Sequence, residues 1–198
     1  MSYDTFLALL GFAVATSITP GPNNFMLLAS GVNFGFWRTV PHMCGIGIGF
    51  FTLLLGVGFG LGSLLVAYPH LDLLLKVLGG AYMLYLAWKI GTSRSMGKGA
   101  EAGERPMTLV EAALFQWVNP KAWAMAVTAM GLYVDPGQPY WSVLMIGAVF
   151  GLTNFPCVST WAGFGVALRN FLSDPQRLKW FNIAMALLLV ASLWPMLR

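Results

Sequence analysis

The chain has 198 residues, of which 58% are hydrophobic and only 9% charged, whereas a water-soluble domain carries about 25% charge. With a mean hydropathy of +0.71, this excludes an ordinary soluble domain and points to a bilayer. The net charge of +4 is no more than the basic bias of cytoplasmic membrane loops supplies, so no nucleic-acid partner is implied.

At about 20 apolar residues per spanning helix, the length fits six spans. The N-terminus, Met1-Ser2-Tyr3-Asp4, lacks the basic stretch that opens a secretory signal, so the first apolar run, 5 to 33, is expected to be a retained span. Thr19-Pro20-Gly21-Pro22-Asn23-Asn24 interrupts it near its middle. Spans two and three are expected over 40 to 67 and 73 to 90. The stretch 92 to 108 is rich in glycine and charge without periodicity, which predicts a mobile loop. Span four, 109 to 133, contains a second interruption at Asn119-Pro120-Lys121, and spans five and six cover 140 to 168 and 178 to 197.

The expected fold class is therefore all-α: a polytopic membrane protein of six transmembrane helices, with helices one and four broken. It forms one transporter domain of two three-helix repeats, about 1 to 91 and 109 to 198. Arg38, the Lys89/Arg94/Lys98/Arg105 group and the Arg169/Arg177/Lys179 group fall on one side, which the positive-inside bias makes cytoplasmic. Lys76 and Arg198 lie on the other side with Asp4, Asp72 and Asp135, so both termini are expected in the periplasm. Three spans per half insert the second half upside down, as in inverted-repeat transporters.

Gly45/Gly49, Gly56/Gly60, Gly58/Gly62 and Gly147/Gly151 are GxxxG pairs, read as close helix packing that also permits a homodimer. Trp37, Tyr68, Trp88, Tyr133, Tyr140, Trp141, Trp180 and Trp194 sit near span ends as interfacial anchors.

The two interruptions carry the chemistry. A proline inside a helix removes an N–H and releases the carbonyl four residues back, here those of Thr16, Ile18 and Gln116. With Gly21 as cap and Pro22 at the first position of a new half-helix, the N–H groups of Asn23, Asn24 and Phe25 stand open at a positive dipole end, which suits a carboxylate. The released carbonyls, with the side-chain oxygens of Thr16, Thr19, Asn23 and Asn119, suit an ammonium. Together they describe a zwitterion, an amino acid. The candidate substrate-binding set is Thr16, Thr19, Pro20, Gly21, Pro22, Asn23, Asn24, Asn119, Pro120 and Lys121.

Lys121 is the fully charged residue expected near mid-membrane, where insertion costs about 2.5 to 3.5 kcal/mol. Three roles offset that cost: binding the substrate carboxylate, pairing with Glu111, or reaching a released carbonyl. His42, expected just inside the interface, Glu111, about one and a half turns into span four, and Lys121 are candidates for a coupling proton; the released carbonyls suit sodium instead. Tyr82, Tyr85, Trp117, Trp123 and Trp161 lie deeper, as packing or as a cation-binding face.

No HExxH, GxGxxG or Walker loop occurs, so no enzyme, cofactor or metal site is expected. Cys44 and Cys157 form no CxxC pair. A transmembrane thiol–disulfide electron carrier using them is the alternative function. The symmetry speaks against it: the prolines of the two breaks are offset by 100 positions and the cysteines by 113.

The segments SITPGPNNFMLLASGVNFGF, LGGAYMLYLAWKI and QWVNPKAW resemble the LysE/RhtB superfamily of amino-acid exporters, over the whole chain, and NIAMALLLV in span six is similar to its cysteine/O-acetylserine branch. The resemblance implies a secondary active exporter, moving a small neutral amino acid of the cysteine/O-acetylserine or homoserine/threonine type out of a bacterial cytoplasm across the inner membrane, by antiport with protons. Pro20, Gly21, Pro22, Asn23, Asn119, Pro120 and Lys121 match its motif positions and take a substrate-site role from it.

Overall fold

The computed structural model describes residues 1–62, 67–94, 96 and 105–194, and for Pro69, Leu71 and Asp72 the backbone alone. Among these residues the protein is all-helical. The first apolar run is two helices, α1 (Tyr3–Ile18) and α2 (Pro22–Phe34), bent by 54° at the break between them. Pro20 disfavours a helical residue before it, and Thr19 is accordingly extended at φ −64°, ψ 148°. Pro22 then presets the first turn of α2.

Gly35 turns the chain in the left-handed region (φ 84°), a conformation that favours glycine. Helix α3 (Phe36–Gly56) starts immediately after it, four residues earlier than the sequence predicts, and accommodates Pro41. A π-helical turn, Val57–Leu61, continues α3 until Gly60 leaves the helix at φ 111°. Helix α4 covers Pro69–Thr92. The end of span two at 67 adjoins residues outside the description, and most of the predicted loop over 92 to 108, Lys98 included, lies outside it, as do Arg198 and the end of span six.

Helix α5 (Leu109–Gln116) opens on a capping box between Thr108 and Glu111. Helix α6 (Pro120–Tyr133) follows the second break, α7 (Pro139–Leu168) runs on through Pro156, and α8 (Pro175–Ala191) is capped by Asp174. Phe36–Leu61, Leu73–Thr92 and Pro139–Leu168 are each long and apolar enough to cross a membrane, and α1 with α2 forms a fourth, bent candidate. Helices α5, α6 and α8, of 8, 14 and 17 residues, are individually shorter.

Helix α7 is the hub, packed on α1, α2 and α3, while α3 also packs on α5, and α4 on α8. The α3–α5 crossing depends on Gly45 and Gly49, where a Cβ would collide with the backbone carbonyls of Leu109 and Ala113. The Gly45/Gly49 face is filled within the chain, whereas a Cβ at Gly151 would meet nothing within 4 Å among the described residues. Leu9 and Ala13, Phe50 and Leu54, Ala126 and Phe150 form the main apolar core between α1, α3, α6 and α7. Leu73, Val77, Leu152 and Phe164 point outward, as lipid-facing residues do. Trp37 and Tyr140 are 84% and 74% exposed, as anchors require. Tyr133 is instead structural: its hydroxyl donates to the Ala8 carbonyl at 3.3 Å and its ring packs on Phe12.

Candidate functional site

The two breaks meet. At the first, α1 ends with its last carbonyls unpaired within the helix, and side chains of this chain take them up. The Asn24 amide donates to the Ser17 and Thr19 carbonyls at 2.9 and 2.7 Å. The Thr19 hydroxyl donates to the Thr16 carbonyl at 2.9 Å, and the Trp161 indole to the Ile18 carbonyl at 3.0 Å. Lys121 closes the remainder. Its Nζ donates to the Thr19 carbonyl at 2.7 Å, the Thr19 hydroxyl at 3.0 Å and the Pro20 carbonyl at 3.2 Å.

Lys121 thus reaches oxygens of the first break, one of them the Thr19 hydroxyl offered to a substrate ammonium. The carbonyls released by the prolines go elsewhere: Thr16 accepts from the Thr19 hydroxyl, Ile18 from the Trp161 indole and Gln116 from the Asn119 N–H. The Phe25 N–H is likewise not open, because it donates to the Gly21 carbonyl at 3.0 Å. Gly21 provides no side-chain cap, so Asn23 and Asn24 carry the uncapped N–H groups of α2.

The second break satisfies itself. Asn119 caps α6, its Oδ1 accepting from the Lys121 backbone N–H at 3.1 Å. The N–H groups of Trp117 and Val118 tighten onto the Leu114 and Phe115 carbonyls, each at 3.1 Å, and the Trp123 indole donates to the Trp117 carbonyl at 2.8 Å. A reciprocal amide pair joins the breaks: Asn23 Nδ2 donates to Gln116 Oε1 at 2.8 Å, and Gln116 Nε2 to Asn23 Oδ1 at 3.1 Å.

Between the breaks lies a small cavity, walled by Thr16, Gly21, Asn23 and Asn24 on one side and by Asn119 and Lys121 on the other. Thr19 and Pro20 face Lys121, and Pro22 and Pro120 start the half-helices. The Thr16 hydroxyl turns back to the Phe12 carbonyl at 2.7 Å. Among the other lining residues are three polar side chains that the sequence reading does not place in the site, those of Ser17, Gln116 and Asn154. Ser17 Oγ and Asn154 Oδ1 are buried with no hydrogen-bond partner among the described residues, a condition that costs about 1–3 kcal/mol per group and that a ligand or water relieves. An asparagine within the uncharged run from 135 to 169, two residues before Pro156, is the signal that marks Asn154.

The coupling candidates separate. Glu111 is the third residue of α5 and lies in its first turn, not one and a half turns in. Its carboxylate forks with Arg105 at 2.6 and 2.7 Å, so it serves the helix cap and does not pair with Lys121. His42 lies two turns into α3 and is only 1% exposed, and neither ring nitrogen has a hydrogen-bond partner among the described residues. It lines a second cavity of about 550 Å³ between α2, α4 and the Arg105–Met107 segment, with Lys89 and Asn33. At this basic end Asn182 joins α8 to both α2 and α4: Asn33 Nδ2 donates to its Oδ1 at 3.1 Å and its Nδ2 donates to the Ser93 carbonyl at 3.1 Å.

Among the deeper aromatics, Trp161 and Trp123 are tied to the breaks, and Tyr82 stacks on Tyr85 at 6.0 Å. Cys44 and Cys157 are free thiols, and Cys157 Sγ faces the Val14 carbonyl at 4.0 Å.

The LysE type translocator family profile matches residues 14–192. The cysteine/O-acetylserine efflux protein of Escherichia coli (strain K12) is 32% identical over 186 residues, covering 90% of each chain. Proteins of the same name from Shigella sonnei (strain Ss046) and Escherichia coli O6:K15:H31 (strain 536 / UPEC) are similar to the same degree, 32% over 186 residues. No solved structure matches. A chain matched over this length, with helices apolar enough to span a bilayer, belongs to the LysE type translocator family of membrane proteins.

Proposed function

We propose that this protein is a secondary active exporter of a small neutral amino acid, of the cysteine/O-acetylserine or homoserine/threonine type, across the bacterial inner membrane. The observation that carries the reading is the polar cavity between two broken helices, the place where inverted-repeat transporters bind their substrates. The relatives named as cysteine/O-acetylserine efflux proteins support the substrate class. The substrate carboxylate binds the uncapped start of α2 at Asn23 and Asn24, and its polar side chain meets Asn154, Ser17 and Asn119.

The chain is read as six spans in two repeats, over 1 to 91 and 109 to 198. Helices α5 and α6 together have 8 and 14 residues, which at 1.5 Å rise reach about 33 Å, enough for a hydrocarbon core of about 30 Å. The packing is consistent with a two-fold exchange of the halves: α1 on α7 has its counterpart in α5 on α3, while the pairs α3–α7 and α4–α8 are each their own counterpart. Alternating access then rocks one repeat against the other around the cavity. The basic end, with Lys89, Arg94, Arg105 and Arg169, faces the cytoplasm, and both termini face the periplasm.

The coupling ion is a proton carried by His42. Glu111 is held by Arg105 and Lys121 serves the first break, and the imidazole beside the basic-end cavity, without a hydrogen-bond partner among the described residues, is taken as the carrier. Efflux from vesicles preloaded with a panel of labelled amino acids, at several pH values with and without sodium, tests this. Saturable efflux of a small neutral amino acid, accelerated by an acid exterior and indifferent to sodium, is expected; unsaturable leakage indicates a channel, and no efflux of any amino acid ends the reading.

A further inference from the structure

The oxygens around Lys121 form an ammonium site whose first occupant is the protein itself. Thr19 O, Thr19 Oγ1 and Pro20 O lie 2.7, 3.0 and 3.2 Å from Nζ, and three acceptors converging on one nitrogen match the three donors of a compact ammonium. The backbone makes room for that occupant. Gly21 is extended at φ 175°, a conformation open to any residue, so its lack of a side chain is not a backbone requirement. A Cβ there would meet the Lys121 stem, 2.6 Å from Cδ and 3.1 Å from Nζ.

We propose that this three-oxygen cradle is the substrate's ammonium subsite and that Lys121 and the substrate occupy it in turn, the lysine serving as an internal surrogate that lets the empty carrier return. The proposal rests on the export reading and deepens it. A proton-coupled exporter must reorient both with substrate and, carrying its proton, without substrate. Thr19 and Pro20 are exposed and Lys121 is partly buried; at membrane depth, vacant carbonyls and an unpaired lysine there both oppose the substrate-free reorientation. With Lys121 in the cradle both are satisfied. When the substrate ammonium takes the same oxygens, Lys121 is released into the cavity it already lines and pairs with the substrate carboxylate, so the loaded state is equally free of orphaned groups. Two states of nearly equal free energy are what a reversible switch requires.

The surrogate predicts a split between two transport modes. Net efflux includes the empty return step, whereas exchange, with substrate on both sides, does not. In proteoliposomes loaded with labelled O-acetylserine or cysteine, Lys121→Met is expected to lower net efflux about tenfold more than it lowers exchange. Gly21→Ala, which obstructs the lysine stem while keeping its charge, is expected to shift the same ratio in the same direction, and carries the test if Lys121→Met does not assemble. An equal fall in both modes, no change in either, or a larger fall in exchange overturns the surrogate while leaving export standing. Wild-type protein that neither exports nor exchanges any amino acid overturns the export reading, and the surrogate falls with it.

Discussion

Asn23 and Gln116 hold each other by both ends of their side-chain amides, at 2.8 and 3.1 Å, and so tie the start of α2 to the end of α5 across 93 residues of sequence. Asn23 is partly buried and Gln116 fully buried, and Gln116 Nε2 also donates to the Ala112 carbonyl at 2.9 Å. Removing one partner costs the other its hydrogen bonds, up to about 1–3 kcal/mol where the remaining group is buried, whereas removing both leaves neither amide unpaired. Asn23→Leu and Gln116→Leu are each expected to lower thermal stability in detergent by that amount, and the double variant by less than the sum. Thermal unfolding of the four proteins in a double-mutant cycle measures the coupling; additive losses would show that the pair is incidental.

His42 is expected to matter for coupling and not for stability. Neither ring nitrogen has a partner among the described residues in the buried wall of the basic-end cavity, which Lys89 and Arg105 also line, so an apolar residue of similar volume relieves an unmet hydrogen-bonding demand. His42→Leu should match or exceed the wild type in melting temperature while losing about tenfold of the acceleration that an acid exterior gives to efflux. Glu111→Gln serves as the contrast. Its ion pair with Arg105 is largely exposed, at 37% and 48%, and is worth under about 1 kcal/mol, so the variant should keep its response to the pH gradient.

Asn154 gives a test of substrate recognition. Its Oδ1 lacks a hydrogen-bond partner among the described residues, so Asn154→Leu removes an orphan and is expected to leave stability unchanged or slightly raised. If the oxygen meets a donor on the substrate, the apparent KM for efflux rises about tenfold with little change in maximal rate, the signature of lost uniform binding. Initial efflux rates against internal substrate concentration decide it. An unchanged KM would remove Asn154 from the site.

Gly49 tests the architecture. Any side chain there meets the Ala113 backbone carbonyl and Cα, which cannot move aside as a side chain does. Gly49→Val is expected to cost at least about 1–3 kcal/mol through overpacking and to abolish monodisperse elution in size-exclusion chromatography. Gly151→Val, where a Cβ would find nothing within 4 Å among the described residues, should elute like the wild type.

Some of the site is readable in one dimension because its cause is local. Proline at 20, 22 and 120 interrupts a helix whatever surrounds it, and the observed helix ends at Ile18 and Gln116 and starts at Pro22 and Pro120 follow from it. Glycine at 21 with proline next, and asparagine at 119, are cap signals of the same local kind. What stays hidden is the identity of partners. Composition marks Lys121, Glu111 and His42 as chargeable groups in apolar stretches without saying which of them meet, since each contact spans a separation in sequence that only the helix packing closes. The side chains of Asn154 and Gln116 escape notice because a neutral amide in a span stands out less than a charge.

Composition, hydropathy and prolines by themselves determined that the chain is helical, belongs in a bilayer and is broken at two points, since those properties arise from each residue's own solvation and dihedral preferences. Only the tertiary structure decided that Lys121 crosses 102 residues of sequence to fill the first break, that Glu111 belongs to Arg105, and that the buried His42 ring is left unpartnered, because hydrogen bonds are directional, short-ranged and allotted by which helices touch.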